Sequence, residues 1–359
     1  GKLLDIKRGQ YRADGLTITL PVASRDKAGR ASAISLPVYQ PPLSTKNTAG
    51  YFIRPDMDLI DLFIGSEGTL GIIAGATLKV IPRARERLAF YLFFKDRLDC
   101  FALADELRQS EEVDPVCIEF YDRHSLLLLR KHYGNIPANA EACLYVEQWL
   151  PVVAREVRGA IAGGGGGKGD GGSPLRVSLG TEDDLLATWG LLLEKLGLQL
   201  LDQWCAQTEK EHAYFEAIRH NMPERVNELV AQYGQLKISM DFALPGPEFS
   251  RIYELYEQVI VPSGIEWLSF GHLGDHHLHL NLLPKNSAEY KLGEEIYLKL
   301  AREVIRVNGT VSAEHGIGKL KHRWLELMYG PEVIAQMRSL KNSFDPKMIL
   351  NKGNLFTAA

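Results

Sequence analysis

The segment Gly271-His272-Leu273-Gly274-Asp275-His276-His277-Leu278-His279-Leu280-Asn281, answered downstream by Ser312-Ala313-Glu314-His315-Gly316, holds five of the ten histidines of this 359-residue chain beside a carboxylate. Imidazole with carboxylate suits a borderline divalent metal such as zinc, manganese or iron. His272, His279 and Glu314 would make a two-histidine, one-carboxylate set, and three protein ligands leave positions open for substrate. The plainer alternative is a group of surface histidines at a strand end. The residue types alone leave both readings standing.

The elements that must position these groups follow from periodicity. Leu278, Leu280 and Leu282 alternate with His279 and Asn281, the pattern of a strand with one buried face. His279 and Asn281 then share the other face and are expected to point out of the core. Gly271 and Gly274 bracket a tight turn that can fold His272 back beside His279. A second glycine cluster, Gly65-Ser66-Glu67-Gly68-Thr69-Leu70-Gly71, runs through Ile72 into a strand-like stretch over 76–82. Its glycines allow a backbone to approach a bulky ligand closely, although a tight turn between buried strands uses the same residues.

Composition narrows the classes. With 45% hydrophobic residues the chain can fill two cores of ordinary size. A net charge of −4, from 41 basic and 45 acidic residues, gives no basic excess for nucleic acid. Cys100, Cys117, Cys143 and Cys205 contain no Cys-x-x-Cys pair, which argues against a zinc ribbon, an iron–sulfur motif or a disulfide framework. They read as reduced core residues of a cytoplasmic protein. No apolar run reaches the ~20 residues that span a bilayer, and residues 1–8 lack the apolar core of a signal peptide.

Three zones divide the chain. Residues 1–87 are strand and turn material with little helix. Residues 88–315 mix helices and strands, with capping boxes at Thr181-Glu182-Asp183-Asp184 and Thr208-Glu209-Lys210-Glu211. Within this zone, the glycine run over 163–172 reads as a mobile surface loop. Residues 316–359 hold a helix opened by Pro331 that presents Val333, Ile334, Met337 and Leu340 on one face, and then a turn-rich tail.

Four motifs in order carry a resemblance: Gly-Ser-Glu-Gly-Thr-Leu-Gly at 65–71, Gly-His-Leu-Gly-Asp at 271–275, Ala-Glu-His-Gly-Ile-Gly at 313–318 and Asp-Pro-Lys-Met-Ile-Leu-Asn at 345–351. They resemble the signatures of the FAD-linked oxidase family, which has the vanillyl-alcohol oxidase and p-cresol methylhydroxylase fold. Within it they are similar to the D-2-hydroxy-acid dehydrogenase branch, with its D-lactate and D-2-hydroxyglutarate dehydrogenases and glycolate oxidase flavin subunit. The resemblance implies an α+β fold, in which 1–87 is the second half of an FAD-binding domain. Residues 88–315 would be a cap domain with an antiparallel sheet flanked by helices, and 316–359 a segment returning to the FAD domain.

It also implies roles. His272, His279 and Glu314 would hold a divalent metal, zinc first, with manganese or iron as the other candidates. His315 would act as base, and Asn281, Arg219 and Lys237 would contact substrate, the arginine through the bidentate fork that fits a carboxylate. Gly65, Ser66, Glu67, Gly68, Thr69, Gly71, Ile72 and Asn351 would contact FAD. The implied reaction is oxidation of a small D-2-hydroxy acid to its 2-oxo acid. Electrons would pass to a quinone, cytochrome, flavoprotein or iron–sulfur subunit, and a homodimer is compatible with the family.

Three departures stand out. His276 and His277 occupy positions where the family has glycine and asparagine, so they are expected to crowd the turn, add a metal ligand or shift substrate preference. Asn351-Lys352-Gly353 replaces Asn-Pro-Gly. The family's phosphate-cradling loop lies upstream of residue 1, so the chain is expected to be the C-terminal portion of a longer flavoenzyme. The competing readings are a metallohydrolase using the His/Glu cluster and a non-catalytic or FAD-free subunit of a glycolate-oxidase-like complex. A transferase acting on an alkylated ketose phosphate shares the fold, but no lipid-tunnel signature is identifiable.

Overall fold

The computed structural model describes residues 3–20, 33–82, 86–150 and 182–357. The glycine run at 163–172 and the Thr181 cap lie outside the described residues. In chain order the elements are β1 (Thr17–Thr19), β2 (Ala33–Ser35), α1 (Leu59–Phe63), β3 (Arg87–Phe94), α2 (Arg97–Gln109), β4 (Pro115–Asp122), α3 (Arg123–Arg130) and β5 (Ala142–Trp149). Then come α4 (Glu182–Leu196), β6 (Leu200–Ala206), α5 (Glu209–Tyr233), β7 (Ile238–Ala243), α6 (Phe249–Ile260), β8 (Glu266–His272), β9 (His277–Leu283), α7 (Ser287–Arg306) and α8 (His322–Phe344). The mixture of helices with antiparallel strands is the expected α+β class. No helix among the described residues is long and apolar enough to cross a membrane.

Two compact units divide the chain: a first of Gly1–Leu78, Val230–Trp267 and Asp275–Ala359, and a second of Lys79–Leu229 and Leu268–Gly274. In the second, β6, β3, β5 and β4 are neighbours in that order, all antiparallel, and the end of β8 pairs with β4 through Glu119↔His272. β3 is buried from Leu88 to Phe94 without alternation, which is the mark of a strand covered on both faces. Its Tyr91 meets Phe215 of α5 with ring centroids 4.9 Å apart, and Phe90 meets Trp189 of α4 at 5.0 Å. Cys100 and Cys143 are buried in this core. The start of α5 is the capping box read from the sequence: the Glu211 amide donates to Thr208 Oγ1 at 3.3 Å, and Glu211 Oε2 accepts from the Thr208 amide at 2.9 Å.

In the first unit β7 and β9 pair antiparallel, setting Asp241 opposite His279 and Ser239 opposite Asn281. α7 packs closely here, for a Cβ on its Gly293 would stand 2.6 Å from Ile238 Cδ1. Leu278, Leu280 and Leu282 are buried as the alternation requires, but His277 and Asn281 on the opposite face are buried too. The expectation that this face points out of the core is therefore corrected: its polar groups are partnered rather than hydrated. α8 is two helices joined at Gly330, whose φ of 78° breaks the first and lets Pro331 open the second. Residues 71–82 form no strand, and Ile72, Ile73, Leu78, Val80 and Ile81 are exposed. Alternation makes a strand only where a neighbouring strand completes the ladder, and none of the described residues does so here.

Candidate active site

In the first unit the geometry is built around Asp241, a fully buried carboxylate on β7. Its Oδ1 accepts from His277 Nε2 at 2.7 Å, and its Oδ2 accepts the backbone N–H groups of His315 at 2.8 Å and Glu314 at 3.2 Å. Ser312 Oγ stands 3.0 Å from the same Oδ2. Burial would raise the Asp241 carboxyl, but the hydrogen bond from His277, the Lys321 ammonium and the His315 amide outweigh it and hold the group below the usual carboxylate range.

Around this anchor His279, Glu314 and His315 come together, two of the three expected ligands and the expected base. His279 Nε2 lies 3.4 Å from Glu314 Oε1, and the His279 and His315 rings stack with centroids 4.9 Å apart and planes 3° from parallel. His315 is half exposed, with Nε2 3.8 Å from Glu314 Oε1. Lys46 Nζ reaches Asp275 at 3.0 Å and Glu314 at 3.3 Å. Asn281 donates to the His279 carbonyl at 3.1 Å. Lys237 precedes β7 on the face of Ser239 and Asp241, and burial lowers its ammonium pKa.

Every amide from Glu314 to Gly318 is bound by a side chain. After the two held by Asp241, Gly316 donates to Thr48 Oγ1 at 3.1 Å, Ile317 to Glu67 Oε1 at 2.7 Å and Gly318 to Glu67 Oε2 at 2.8 Å. The 65–71 motif is thereby fastened to the 313–318 motif. The 345–351 motif joins them: Asn351 Nδ2 donates to the Glu67 carbonyl, and buried Lys341 donates to the Thr69 carbonyl at 2.8 Å and the Leu350 carbonyl at 2.9 Å. Gly65 and Gly68 are left-handed, with φ of 74° and 67°, and a Cβ on Gly65 would meet nothing within 4 Å. Ile64 and Ile72 are exposed beside them. Ser66 and Thr69 are buried, and Thr69 Oγ1 lies 2.8 Å from the Tyr51 hydroxyl.

In the second unit, Arg219 on α5 donates through Nε at 3.2 Å and Nη2 at 2.7 Å to Glu119 Oε1 on β4, and His272 Nδ1 lies 3.0 Å from the same oxygen. Burial would raise the Glu119 carboxyl, but His272 and Arg219 bring it down to about 2.

Sequence reasoning missed Asp241, Glu119, Thr48 and Lys341. The available signal was a lone carboxylate inside an apolar strand, Ile-Ser-Met-Asp-Phe-Ala at 238–243 and Val-Cys-Ile-Glu-Phe at 116–120. A buried charge of this kind needs partners from elsewhere in the chain. Among the described residues, Asp241, His277 and His279 place ligand atoms within 4.8 Å of one another, with Asp241 and His277 already joined by their hydrogen bond.

The chain is 29% identical over 319 residues to the glycolate oxidase subunit GlcD of Bacillus subtilis, across 87% of this chain and 58% of that protein. It is 25% identical over 314 residues to a D-lactate dehydrogenase of Archaeoglobus fulgidus, across 86% of this chain and 59% of that one. The chain thus spans under two thirds of the length of these relatives. Among solved structures, p-cresol methylhydroxylase with substrate bound shares the fold, with a TM-score of 0.55 at 14% identity over 98% of this chain and 68% of that one. Residues 183–355 match the model of the FAD linked oxidases, C-terminal domain, and this part of the chain is such a domain.

Proposed function

We propose that the chain serves an FAD-dependent oxidoreductase that converts a D-2-hydroxy acid to a 2-oxo acid with a divalent metal assisting. The observation that carries this reading is the pair of parallel rings, His279 and His315, set beside Glu314 by one buried carboxylate, Asp241. It supports the reading because His315, half exposed, would serve as a base next to two groups able to bind a cation. A glycolate oxidase subunit and a D-lactate dehydrogenase among the relatives point to hydroxy acids as the substrate class.

Bound FAD would supply the acceptor for the substrate's hydride, and a bound metal would supply positive charge beside the substrate hydroxyl and lower its pKa. The residues suited to FAD are Gly65, Gly68 and Gly71, which leave the backbone bare, with Ser66, Glu67, Thr69, Ile72 and Asn351 around them. His279 and Glu314 are the adjacent members of the metal set. His315 takes the hydroxyl proton on its imidazole, a contribution of about 10²–10⁴-fold. Asn281 and Lys237 contact the substrate from the face they share with Asp241. The assignments of His272 to the metal and Arg219 to the substrate carboxylate rest on the resemblance, and substitution tests them separately.

The test is turnover by the complete gene product supplied with FAD and Zn²⁺, using D-lactate, glycolate and D-2-hydroxyglutarate with a dye as electron acceptor. His315→Ala is expected to lower kcat by about 10²–10⁴-fold, and Arg219→Ala to raise KM. Unchanged turnover in His315→Ala, or none in the unaltered protein with any of the three acids, would overturn the proposal.

A further inference from the structure

His277 is fully buried, and its two ring nitrogens face two different carboxylates. Nε2 lies 2.7 Å from Asp241 Oδ1, and Nδ1 lies 4.0 Å from Glu314 Oε2. Asp241 accepts donors at both oxygens, so it is a carboxylate and accepts the N–H of His277 Nε2. In a neutral ring this tautomer leaves the lone pair on Nδ1, the nitrogen directed at Glu314. Glu314 turns its other oxygen to His279 Nε2 at 3.4 Å. Metal bonds of about 2.0–2.2 Å at tetrahedral angles place ligand atoms roughly 3.3–3.5 Å apart; the 3.4 Å spacing already meets this, and the 4.0 Å spacing, which runs to the other oxygen of Glu314, would close by a turn of that side chain around the ion. The His277 and His279 rings are neighbours, crossing at 80° with centroids 4.7 Å apart. A carboxylate behind a ligating imidazole is also the common way of fixing such a ring.

We propose that His277 is itself a ligand of the divalent metal through Nδ1, held by Asp241 through Nε2. Together with His279 and Glu314 it makes a three-donor set inside one compact unit, including a histidine at a position where the resembled family carries asparagine. Lys46 keeps its place beside this set through Asp275. The inference rests on the metal assisting the proposed reaction, and it adds a ligand that the resemblance does not supply.

The full chain, stripped with chelator, is titrated with Zn²⁺ against a chromophoric chelator and with Co²⁺ followed by visible absorption. The informative variant is His277→Asn, which keeps an N–H toward Asp241 but removes the imidazole. The unaltered chain is expected to bind one Zn²⁺. His277→Asn is expected to bind at least about 100-fold more weakly, beyond the 10–100-fold typical of losing an outer partner, with altered Co²⁺ bands. Equal affinity in the two proteins would overturn the role of His277 and leave the metal in place. No uptake by the unaltered chain would overturn the metal reading and this inference with it. If His277→Asn does not fold, nitrogen-15 spectra of histidine-labelled unaltered chain decide the matter: a zinc-dependent shift of His277 Nδ1 supports the assignment, and an unmoved signal overturns it.

Discussion

Glu67 accepts the Ile317 amide at 2.7 Å, joining two segments 250 residues apart in sequence. The same carboxylate takes the Gly318 amide at 2.8 Å, so both its oxygens hold the loop that follows His315. Gly316 must be glycine here, for its φ is 70° and a Cβ would stand 2.7 Å from Glu67 Oε1. Glu67→Ala should cost about 3 kcal/mol in denaturant unfolding, because two backbone donors lose a charged acceptor. Hydrogen exchange at Ile317 and Gly318 should rise well above that at Ile296 in α7. Unchanged protection at those amides would show that the carboxylate does not hold the loop.

The Lys341–Asp345 pair gives the fold an acid-sensitive joint. Both side chains are buried, with Nζ 2.9 Å from Asp345 Oδ2, and Oδ2 also accepts the Leu350 amide at 2.8 Å. Burial raises the Asp345 carboxyl, but the Lys341 hydrogen bond and the backbone donors outweigh it, so its pKa is lowered in the folded protein. A carboxyl with a lower folded pKa stabilises the fold above its unfolded pKa of about 4, and that contribution disappears as pH falls through the folded value. Asp345→Asn should therefore be less stable than the unaltered chain at pH 7, and the difference should shrink as pH falls below about 4. A gap independent of pH would contradict the pairing. Lys341→Met, which leaves Asp345 buried without its cation, should cost about 3 kcal/mol.

Thr208→Ala isolates one element that the sequence announces. The two hydrogen bonds of the Thr208 hydroxyl at the start of α5 are exposed, so their loss should lower stability by about 1 kcal/mol without altering metal or flavin binding. An unfolding midpoint that does not move would mean that Gln207 and Glu211 hold the helix start without the hydroxyl.

Local patterns were legible and long-range partners were not. The Thr208 box, the Pro331 helix start and the buried leucines of β9 all depend on residues within one turn or one strand, and the structure has them where periodicity puts them. The adjacency of His279, Glu314 and His315 was legible because residue types betrayed a common chemistry. Asp241 was not, since its partners at 277, 312, 314 and 315 meet it only after β7 and β9 pair in register. Glu119 escaped for the same reason, because its partners come from α5 and the end of β8. The stretch over 76–82 failed in the opposite sense: the alternation was present, and none of the described strands pairs with it.

His276 crowds its turn, and the crowding can be measured. His276 has a φ of 51°, a conformation costing a side-chain-bearing residue about 1 kcal/mol, and its ring lies 5.5 Å from that of Phe249. A Cβ on Gly246 would stand 2.7 Å from His276 Cε1, so the ring and the glycine occupy one space. Gly246→Ala should cost about 1–3 kcal/mol in the unaltered chain, since the ring must leave its contact with Phe249. His276→Gly should be nearly neutral, with relief of the backbone offsetting the lost ring contact. In the His276→Gly background Gly246→Ala should cost under about 0.5 kcal/mol, a coupling that a double-mutant cycle reads directly. Additive effects would mean that the His276 ring yields at no cost, and that the turn would accept any residue tolerating a positive φ.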